Sequence, residues 1–500
     1  MIVARQDDLE LTEYAAFNEG RDYPRMRRWE LPFALHALRP PATAAVLDCT
    51  INPVDFGERL QSLYGHVTYR HHNPVQGGRF VPPVGSPDGA FDRVVCVNTL
   101  EHLLAGQRET LVAEMARKLK PGGLLVLTSD YYFESMWRNR SVLGLGVIRP
   151  DGGEVLNGWN RVTPREHVEL QGRHGLYPLE GDDACDDEPR EGDPSLYLNA
   201  PPYEHACVAG VFRKGRGTQQ SADSRSVVLA LLTWNTRDIS LDSVRALAAE
   251  ARLLRRLGHE ATVCVCDNGS TDGTPGALRE ASEKLGVPHR LILNGENRGS
   301  SVARNQIIDF AAGECGADYL LFTDGDIEVV PFSSFAMLRH MEDAGRRLGC
   351  VGAISSGHAA ERARTTPYLF HIDGASVQAN DDVAWTQYGM FRREIFDAGV
   401  RFDEGGPFDR AGWGFEDNDL AFQMSLKGYA TQRFYGMTYL HRAVHSSLRI
   451  MRQSGIDAAD AYARRKQYVL DKWSGVPSIN DGPLVVIRKV TMPNVAPAGR

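Results

Sequence analysis

The stretch Tyr319-Leu320-Leu321-Phe322-Thr323-Asp324-Gly325-Asp326 runs from an apolar segment into two carboxylates separated by a glycine. The apolar part is typical of a buried strand, and the glycine permits a turn at its end. Two carboxylates two positions apart can share one divalent cation, which in turn can hold a diphosphate. Because Asp-Gly-Asp is also common in ordinary turns, the interpretation depends on the residues around it.

Three apolar segments earlier in the chain support a ligand site. Residues 227–235 predict a buried strand that leads into a helix at about 240–257, and residues 261–266 predict a second strand. The second strand ends in Asp267-Asn268-Gly269-Ser270-Thr271-Asp272, and a third strand follows at 290–293. Polar residues therefore gather where the strands end, and this is the edge at which doubly wound α/β sheets bind ligands.

A second polar segment, Gly412-Trp413-Gly414-Phe415-Glu416-Asp417-Asn418-Asp419, places three carboxylates behind two glycines and an indole. The acids alone are explained by a helix start, where free N–H groups and the helix dipole favour negative charge. The Gly-Trp-Gly is not explained by that, because it brings backbone and a flat ring close to a ligand. A carboxylate beside an indole suits a general base that faces a sugar hydroxyl.

The first half of the chain also alternates strands with helices, which predicts a parallel doubly wound sheet. The whole chain is therefore assigned to the α/β class, with two doubly wound domains. The predicted divisions are a helical lead-in at 1–42, a first domain at 43–213, a polar linker at 214–226, a second domain at 227–475 and a tail at 476–500. An acidic, turn-rich insertion within the first domain, residues 181–194, is interpreted as a solvated loop.

Composition limits the class of protein. The chain has 500 residues, more than one hydrophobic core usually supports, so two or three domains are expected. A net charge of −8 without a long basic run argues against nucleic acid as a partner. No apolar run approaches the roughly 20 residues of a transmembrane segment, and charges near the N-terminus argue against a signal peptide. Eight cysteines without zinc-ligand spacing indicate reduced thiols, so a cytoplasmic protein is predicted.

The second half, over about residues 227–450, closely resembles the inverting glycosyltransferases of the GT-A fold, family two. The resemblance implies that Thr233 and Asp267 contact the nucleotide of a sugar donor. It places Arg304 near the donor phosphates and implies that Asp324 contacts the donor through a metal. A UDP-sugar is the preferred donor under this interpretation.

The resemblance also assigns the acceptor side and the metal. Asp417 is the expected base, Glu416 positions sugar hydroxyls, and Trp413 stacks on a sugar ring. The expected metal ligands are Asp324 and Asp326, with a histidine from farther along the chain. His441 is preferred because it ends a predicted strand, and rigid elements hold geometry better than loops; His445 is the alternative. Oxygen and imidazole ligands suit Mn²⁺ or Mg²⁺.

The first half, over about residues 40–213, resembles the class I methyltransferases that use S-adenosylmethionine, and this implies a Rossmann-like fold. The carrying segments are 91–102 and Leu119-Lys120-Pro121-Gly122-Gly123. Where that family has a glycine-rich loop, however, this chain has Cys49-Thr50-Ile51-Asn52-Pro53-Val54. Where the family has an acid for the ribose, this chain has Arg70-His71-His72-Asn73. A non-catalytic domain without bound S-adenosylmethionine is therefore predicted.

The function predicted from these observations is metal-dependent, inverting transfer of a sugar, of the hexosyltransferase type, to a hydroxyl of a glycan or another acceptor. Two alternatives remain open at this level. A bifunctional protein would also methylate the glycan that its second half builds. A sugar-binding protein without turnover would use the same pocket, although simple binding does not require so many acids.

Overall fold

The computed structural model describes residues 2–4, 9, 14–15, 18–20, 27–41, 43–131, 162–179, 181–182, 206–216, 224–355, 377–379, 386–405, 414–442 and 457–473. Trp413, His445 and the predicted tail at 476–500 lie outside these residues. Within the described ranges, no helix combines the length and the apolar character that crossing a bilayer requires.

The first half contains a mixed sheet with helices between its strands, a separate two-stranded hairpin, and one short strand that joins the sheet of the second half. The strands are β1 (Ile2–Val3), β2 (Ala45–Asp48), β3 (Thr68–His71), β4 (Val75–Gln76), β5 (Arg79–Phe80), β6 (Phe91–Val97), β7 (Leu119–Tyr131), β8 (Leu176–Pro178), β9 (Gly181–Asp182) and β10 (Ala206–Lys214). The helices are α1 (Arg27–Leu38), α2 (Phe56–Tyr64), α3 (Ala105–Lys118) and α4 (Pro164–Arg173). The strand order is β1-β10-β7-β6-β2-β3, with β8 beside β10, and β4 and β5 form a separate hairpin. Strands β7, β6, β2 and β3 are parallel, and β10 runs antiparallel to β7.

The second half forms a larger sheet. Its strands are β11 (Ser226–Thr233), β12 (Glu260–Asp267), β13 (His289–Leu293), β14 (Tyr319–Asp324), β15 (Leu348–Ser355), β16 (Val377–Ala379), β17 (Tyr388–Arg392) and β18 (Ala430–Tyr439). Its helices are α5 (Arg237–Arg256), α6 (Thr274–Ser282), α7 (Ser300–Ile308), α8 (Ser333–Ala344), α9 (Arg393–Asp397), α10 (Glu416–Leu426) and α11 (Ala458–Lys472). The order is β13-β12-β11-β14-β17-β15-β18-β16, and the first four strands are parallel.

The burial of β11 shows why this stretch folds as a central strand. Val227, Leu229 and Leu231 enter one buried apolar cluster, and Val228 and Ala230 enter another. Both faces of the strand are therefore covered, as expected for a parallel sheet whose crossover helices pack on its two sides. The prediction of two doubly wound α/β domains is confirmed.

Two predicted details differ in the structure. The apolar residues 124–128 predict a fourth strand of the first sheet that starts after Pro121-Gly122-Gly123. In the structure this strand, β7, begins at Leu119, so the Pro-Gly-Gly lies within it, where the pairing with β6 shifts register between Phe91 and Arg93. The insertion at 181–194 was interpreted as a solvated loop, but its first two residues form β9, which pairs with Met437 and Thr438 of β18. Backbone hydrogen bonding to the other half of the chain therefore overrides the acidic composition of this segment at its start.

The two halves share an interface formed chiefly by α4 and β8 on one side and by α5 and α8 on the other. The Tyr177 hydroxyl donates to Asp343 Oδ2 at 2.8 Å, and Arg256 pairs with Glu169 at 2.7 Å. A Cβ at Gly172 would lie 3.0 Å from the side chain of Leu257. One continuous apolar cluster includes buried residues of both halves, so their cores are joined.

Candidate active site

Three strands of the second sheet end side by side. Thr233 of β11 pairs with Asp267 of β12, and Leu232 pairs with Asp324 of β14. Side chains that sequence reasoning assigned to a nucleotide and to a metal therefore share one edge of the sheet. This is the carboxyl edge, where such sheets bind ligands.

Gly325 is required here by close packing. A Cβ at this position would lie 2.9 Å from Thr233 Oγ1, which is shorter than real Cβ contacts, and 3.0 Å from Thr236 Oγ1, which is tighter than most of them. Its backbone does not have the positive φ that would by itself favour glycine. The glycine between the two carboxylates thus serves the approach of two chain segments more than the turn that the sequence suggested. The Thr233 hydroxyl is itself bonded within the fold, to Thr236 and Ser240.

Asp267 is fully buried and only partly satisfied. Its Oδ2 accepts the N–H of Ser270 at 3.0 Å, whereas its Oδ1 has no hydrogen-bond partner. Buried polar atoms are almost always paired, so an unpaired one at a ligand-binding edge needs an explanation. A donor group on a bound molecule, such as the N–H of a base or the hydroxyl of a ribose, would satisfy this oxygen.

Arg304 of α7 connects the two polar segments singled out in the sequence. Its guanidinium is buried, lies 2.9 Å from Asp324 Oδ1 and 3.5 Å from Glu416 Oε1, and covers the ring of Phe402 at 5.5 Å. Burial raises the pKa of Asp324 to about 6, although Arg304 acts in the opposite direction. The tip of β14 and the start of α10 therefore lie on opposite sides of one cation.

Asp326 and His441 also meet, although 115 positions of chain separate them. His441 Nε2 lies 3.3 Å from Asp326 Oδ1, and the N–H of Arg442 donates to the Asp326 carbonyl oxygen at 2.9 Å. His441 forms an isolated β-bridge with Ile327, which fixes its backbone beside the turn. The hydrogen bond to Asp326 raises the pKa of His441.

The donor set at this turn suits a divalent cation only in part. A carboxylate and an imidazole within hydrogen-bond distance are ligands that Mn²⁺ accepts, and binding would release any proton held between them. Asp324 pairs with Arg304 through Oδ1, and it does not join Asp326 and His441 in a group whose ligand atoms all lie within 4.8 Å of one another, although the charges of both residues act on its pKa. Within the described residues, the one group of three metal-ligating side chains whose ligand atoms all lie within 4.8 Å of one another is instead Glu30, Asp130 and Cys207, buried in the first half.

Asp417 stands at the N-terminal turn of α10. It is half-buried, and burial, followed by the neighbouring charge of Glu416, raises the pKa of Asp417 to about 7. The turn before it is left-handed, with φ of 110° at Gly414 and 67° at Phe415. The N–H of Gly414 donates to Glu416 Oε2 at 2.8 Å. Glu416 therefore holds this turn in addition to pairing with Arg304. A carboxyl with a pKa near neutrality has the proton affinity required of a general base.

The third acid of this segment points elsewhere. Asp419 is fully buried, and its Oδ1 accepts the indole N–H of Trp473 at 2.7 Å and the ammonium of Lys472 at 2.9 Å. The sequence shows no signal for these two partners, which lie more than 50 positions later, at the end of a helix of ordinary composition. Trp413, the predicted stacking residue, lies outside the described residues.

The corresponding edge of the first sheet is closed by its own side chains. Asp48 Oδ1 accepts the N–H of Thr50 at 2.8 Å, and Asp48 Oδ2 accepts the hydroxyl of Tyr69 at 2.6 Å. His71 Nε2 lies 2.7 Å from the Thr50 carbonyl oxygen, so the loop after β2 is tied to β3. A Cβ at Gly57 would overlap the ring of Tyr69. These residues do not fit S-adenosylmethionine, because the carboxylate is already satisfied and the loop lacks the close backbone approach that glycines allow.

Comparisons with protein families agree with the division into two halves. Residues 240–399 match the family described as Glycosyl transferase family 2, and residues 72–127 match the family described as Methyltransferase domain. The predicted resemblances of both halves are thereby confirmed. Each match covers less than half of the chain.

Individual relatives are distant. The undecaprenyl-phosphate 4-deoxy-4-formamido-L-arabinose transferase of Pseudomonas fluorescens is 24% identical over 176 residues, which are 34% of this chain and 48% of that protein. The chain thus spans about half the length of this curated relative. A mannosyltransferase from Pyrobaculum calidifontis, solved with GDP-Man and Mn²⁺, is 17% identical with a TM-score of 0.37, over 50% of this chain and 65% of that one. Glucosyl-3-phosphoglycerate synthase from Mycobacterium tuberculosis is 14% identical with a TM-score of 0.30, over 47% and 81%.

Proposed function

We propose that the second half of the chain, which carries a glycosyl transferase family 2 domain, moves a sugar from a nucleotide diphosphate to an acceptor hydroxyl with inversion. The observation that carries the proposal is the position of Arg304 between Asp324 and Glu416. This cation joins the edge where a donor diphosphate would bind to the helix start that presents Asp417. The sugar donor and the proposed base, Asp417, would thus lie on either side of the buried Arg304 guanidinium.

On the donor side, we assign the nucleotide to Asp267, whose buried Oδ1 is free to accept a hydrogen bond. Asp326 and His441 would hold a divalent cation, which supplies charge stabilisation to the departing diphosphate. Asp324 would stay with Arg304 and face the same diphosphate. A UDP-sugar remains the preferred donor.

On the acceptor side, Asp417 removes the proton of the attacking hydroxyl. The hydroxyl oxygen forms a bond to the anomeric carbon on the face opposite the diphosphate, and the bond from that carbon to the diphosphate oxygen breaks. The electron pair leaves with the nucleoside diphosphate, and the proton stays on a carboxylate oxygen of Asp417. Glu416, held by Arg304 and by Gly414, orients the base and the sugar hydroxyls beside it.

A donor screen tests this function. The full-length protein is incubated with Mn²⁺ and a panel of UDP- and GDP-sugars, and release of nucleoside diphosphate is measured with and without acceptors. The acceptor panel includes oligosaccharides and a polyprenyl phosphate, because the name of the Pseudomonas relative contains undecaprenyl phosphate. We expect one donor to be turned over, loss of turnover with a chelator and its return with Mn²⁺ or Mg²⁺.

Three variants sharpen the screen. Asp326→Asn should lower the response to Mn²⁺, and Asp417→Asn should remove transfer while nucleotide binding persists. Asp397→Asn is the matched control, because Asp397 is an exposed acid at the end of α9. Binding of donor without any turnover across the panel would favour a sugar-binding protein. Methylation of a glycan product in the presence of S-adenosylmethionine would favour a bifunctional protein, against the closed loop described above.

A further inference from the structure

We propose that the end of α11, formed by Lys472 and the adjoining Trp473, is a positioning element of the acceptor side, which orients Asp417 by holding Asp419. The inference rests on the proposed function, because Asp417 is the base in that proposal. Both α10 and α11 lie beyond residues 240–399, so the family match does not account for this contact.

Asp419 is the first link. It follows Asp417 by two positions, so the two side chains leave the first turn of α10 on different faces. The carboxylate of Asp419 is fully buried and receives three donors: Trp473 Nε1 at 2.7 Å, Lys472 Nζ at 2.9 Å and Gln423 Nε2 at 2.9 Å. Gln423 belongs to α10 itself, so the two donors from outside the helix, Trp473 and Lys472, are the ones that fix the rotation of the helix start about its axis.

Lys472 extends this contact to the donor side. Its Nζ also lies 2.6 Å from Asp403 Oδ2, which accepts the hydroxyl of Tyr468 at 2.7 Å. Asp403 follows Phe402, whose ring lies under the guanidinium of Arg304. One ammonium group therefore joins the helix that carries the proposed base to the segment that supports the proposed phosphate-side arginine.

Asn305 completes that support. Its Nδ2 donates to the carbonyl oxygen of Phe402 at 2.9 Å, and its Oδ1 accepts the N–H of Phe402 at 3.0 Å. The segment of Phe402 and Asp403, which Lys472 contacts, is thus bonded to α7 next to Arg304. A shift of α11 would be transmitted to both sides of the proposed reaction centre.

An aromatic contact holds the turn before the base. The ring of Tyr462 lies 4.8 Å from that of Phe415, and a Cβ at Gly414 would lie 3.2 Å from the same tyrosine ring. Phe415 has a positive φ, which a non-glycine residue adopts only when its surroundings enforce it. Contacts therefore flank the proposed base on both sides along the chain: Tyr462 packs on Phe415 before it, and Trp473 bonds to Asp419 after it.

The test compares Trp473→Phe with Arg464→Ala in the full-length protein. Phenylalanine keeps an aromatic ring next to Phe422, whose ring lies 5.7 Å from that of Trp473, and removes the N–H donor to Asp419 together with part of the indole. Arg464 is on the same helix in an exposed pair with Asp460, so its variant controls for changes to α11 itself. With the UDP-sugar that the wild type turns over fastest, we expect Trp473→Phe to lower kcat by about tenfold or more. Affinity for UDP in the presence of Mn²⁺ should stay within about twofold, and Arg464→Ala should match the wild type.

Equal kcat values in Trp473→Phe and the wild type would overturn the proposal. So would a loss of UDP affinity in proportion to the loss of kcat, because the contact would then stabilise the domain as a whole. If Trp473→Phe does not fold, Lys472→Met and Lys472→Arg take its place. The arginine variant keeps the charge between Asp403 and Asp419 and should keep most of the rate, whereas the methionine variant should not.

A measurement without any donor separates this inference from the proposed function. Carbodiimide labelling of Asp417 is followed across pH by peptide mass spectrometry in the wild type and in Trp473→Phe. A change in the pH midpoint of labelling by about half a unit or more supports a positioning role even if no sugar is transferred. An unchanged midpoint contradicts it even if the wild type is an active transferase.

Discussion

The loops after β2 and β3 in the first sheet and the loops after β11, β12 and β14 in the second occupy equivalent places in two α/β sheets. In the first sheet, both oxygens of Asp48 accept hydrogen bonds from Thr50 and Tyr69. In the second, the buried Oδ1 of Asp267 and the buried Nε of Arg304 have no hydrogen-bond partner. Polar groups that satisfy one another leave nothing for a ligand, whereas unpaired buried groups gain from one. The same architecture thus leaves a buried carboxylate oxygen unpaired after β12, whereas both oxygens of Asp48 after β2 are already bonded.

The largest expected effect is on the rate of sugar transfer at the ligand-binding edge of the second sheet. Asp417→Asn keeps the size of the side chain and removes its ability to take a proton, so we expect the rate of sugar transfer to fall by about a thousandfold. UDP binding, measured by calorimetry with Mn²⁺, should be unchanged because the proposal places Asp417 on the acceptor side. A rate within a few fold of the wild type would show that another group is the base.

The pH dependence of the rate sharpens the assignment of the base. Asp417 must be ionised to accept a proton, and burial raises the pKa of Asp417 to about 7. The rate of transfer should therefore rise about tenfold per pH unit below pH 7 and level off above it. A profile that is already flat at about pH 5.5 would mean that the working base has an ordinary carboxyl pKa.

Ligand stabilisation contrasts the two edges directly. UDP with Mn²⁺ at about one hundred times its dissociation constant should stabilise the protein by about 2.7 kcal/mol. S-adenosylmethionine at the same concentration should leave the melting temperature unchanged, since Asp48 and the Thr50 carbonyl are already bonded. Melting temperatures are measured in parallel thermal scans, one for each ligand, with adenosine as the control for nonspecific effects. Stabilisation by S-adenosylmethionine alone would reverse the comparison.

The smallest effect concerns Glu101, a buried acid in the short helical turn after β6. Burial raises the pKa of Glu101 to about 8, so this carboxyl is protonated in the folded protein at neutral pH and ionised in the unfolded chain. The free energy of unfolding therefore falls as pH rises from about 4.5 to about 8, because in this range the folded state holds a proton on Glu101 that the unfolded chain has released. Glu101→Gln, which imitates the protonated form, should raise the melting temperature by a few degrees at about pH 8 and leave it nearly unchanged at about pH 4.5.

Matched melts of Glu101→Gln and the wild type at both pH values test this expectation. Glu114→Gln serves as the control, since Glu114 lies in α3, is partly exposed and pairs with Arg117. A pH-independent difference between Glu101→Gln and the wild type would indicate a change in packing instead of a change in proton binding.

Several features of the site could be predicted from the sequence because they depend on neighbouring residues. The apolar run before Asp324 determined a strand, and strand ends of a parallel sheet share one edge, which places Asp267 and Asp324 together. The acids at 416–419 determined a helix start, and α10 begins at Glu416. The preference for His441 followed from its place after a strand, and the structure brings it to Asp326.

Tertiary structure alone decided which polar atoms are free and which are already paired. The sequence shows Asp324, Asp417 and Asp419 as three similar acids, yet one pairs with Arg304, one is half-buried with its pKa raised, and one is held by Trp473. It could not show that Tyr69 and His71 close the first sheet, or that Gly325 is required by Thr233 and Thr236. Local patterns determine strands and helix ends through spacing and backbone chemistry. The pairing of a buried carboxylate depends on donors from distant parts of the chain, and only the folded arrangement brings those donors within hydrogen-bond distance.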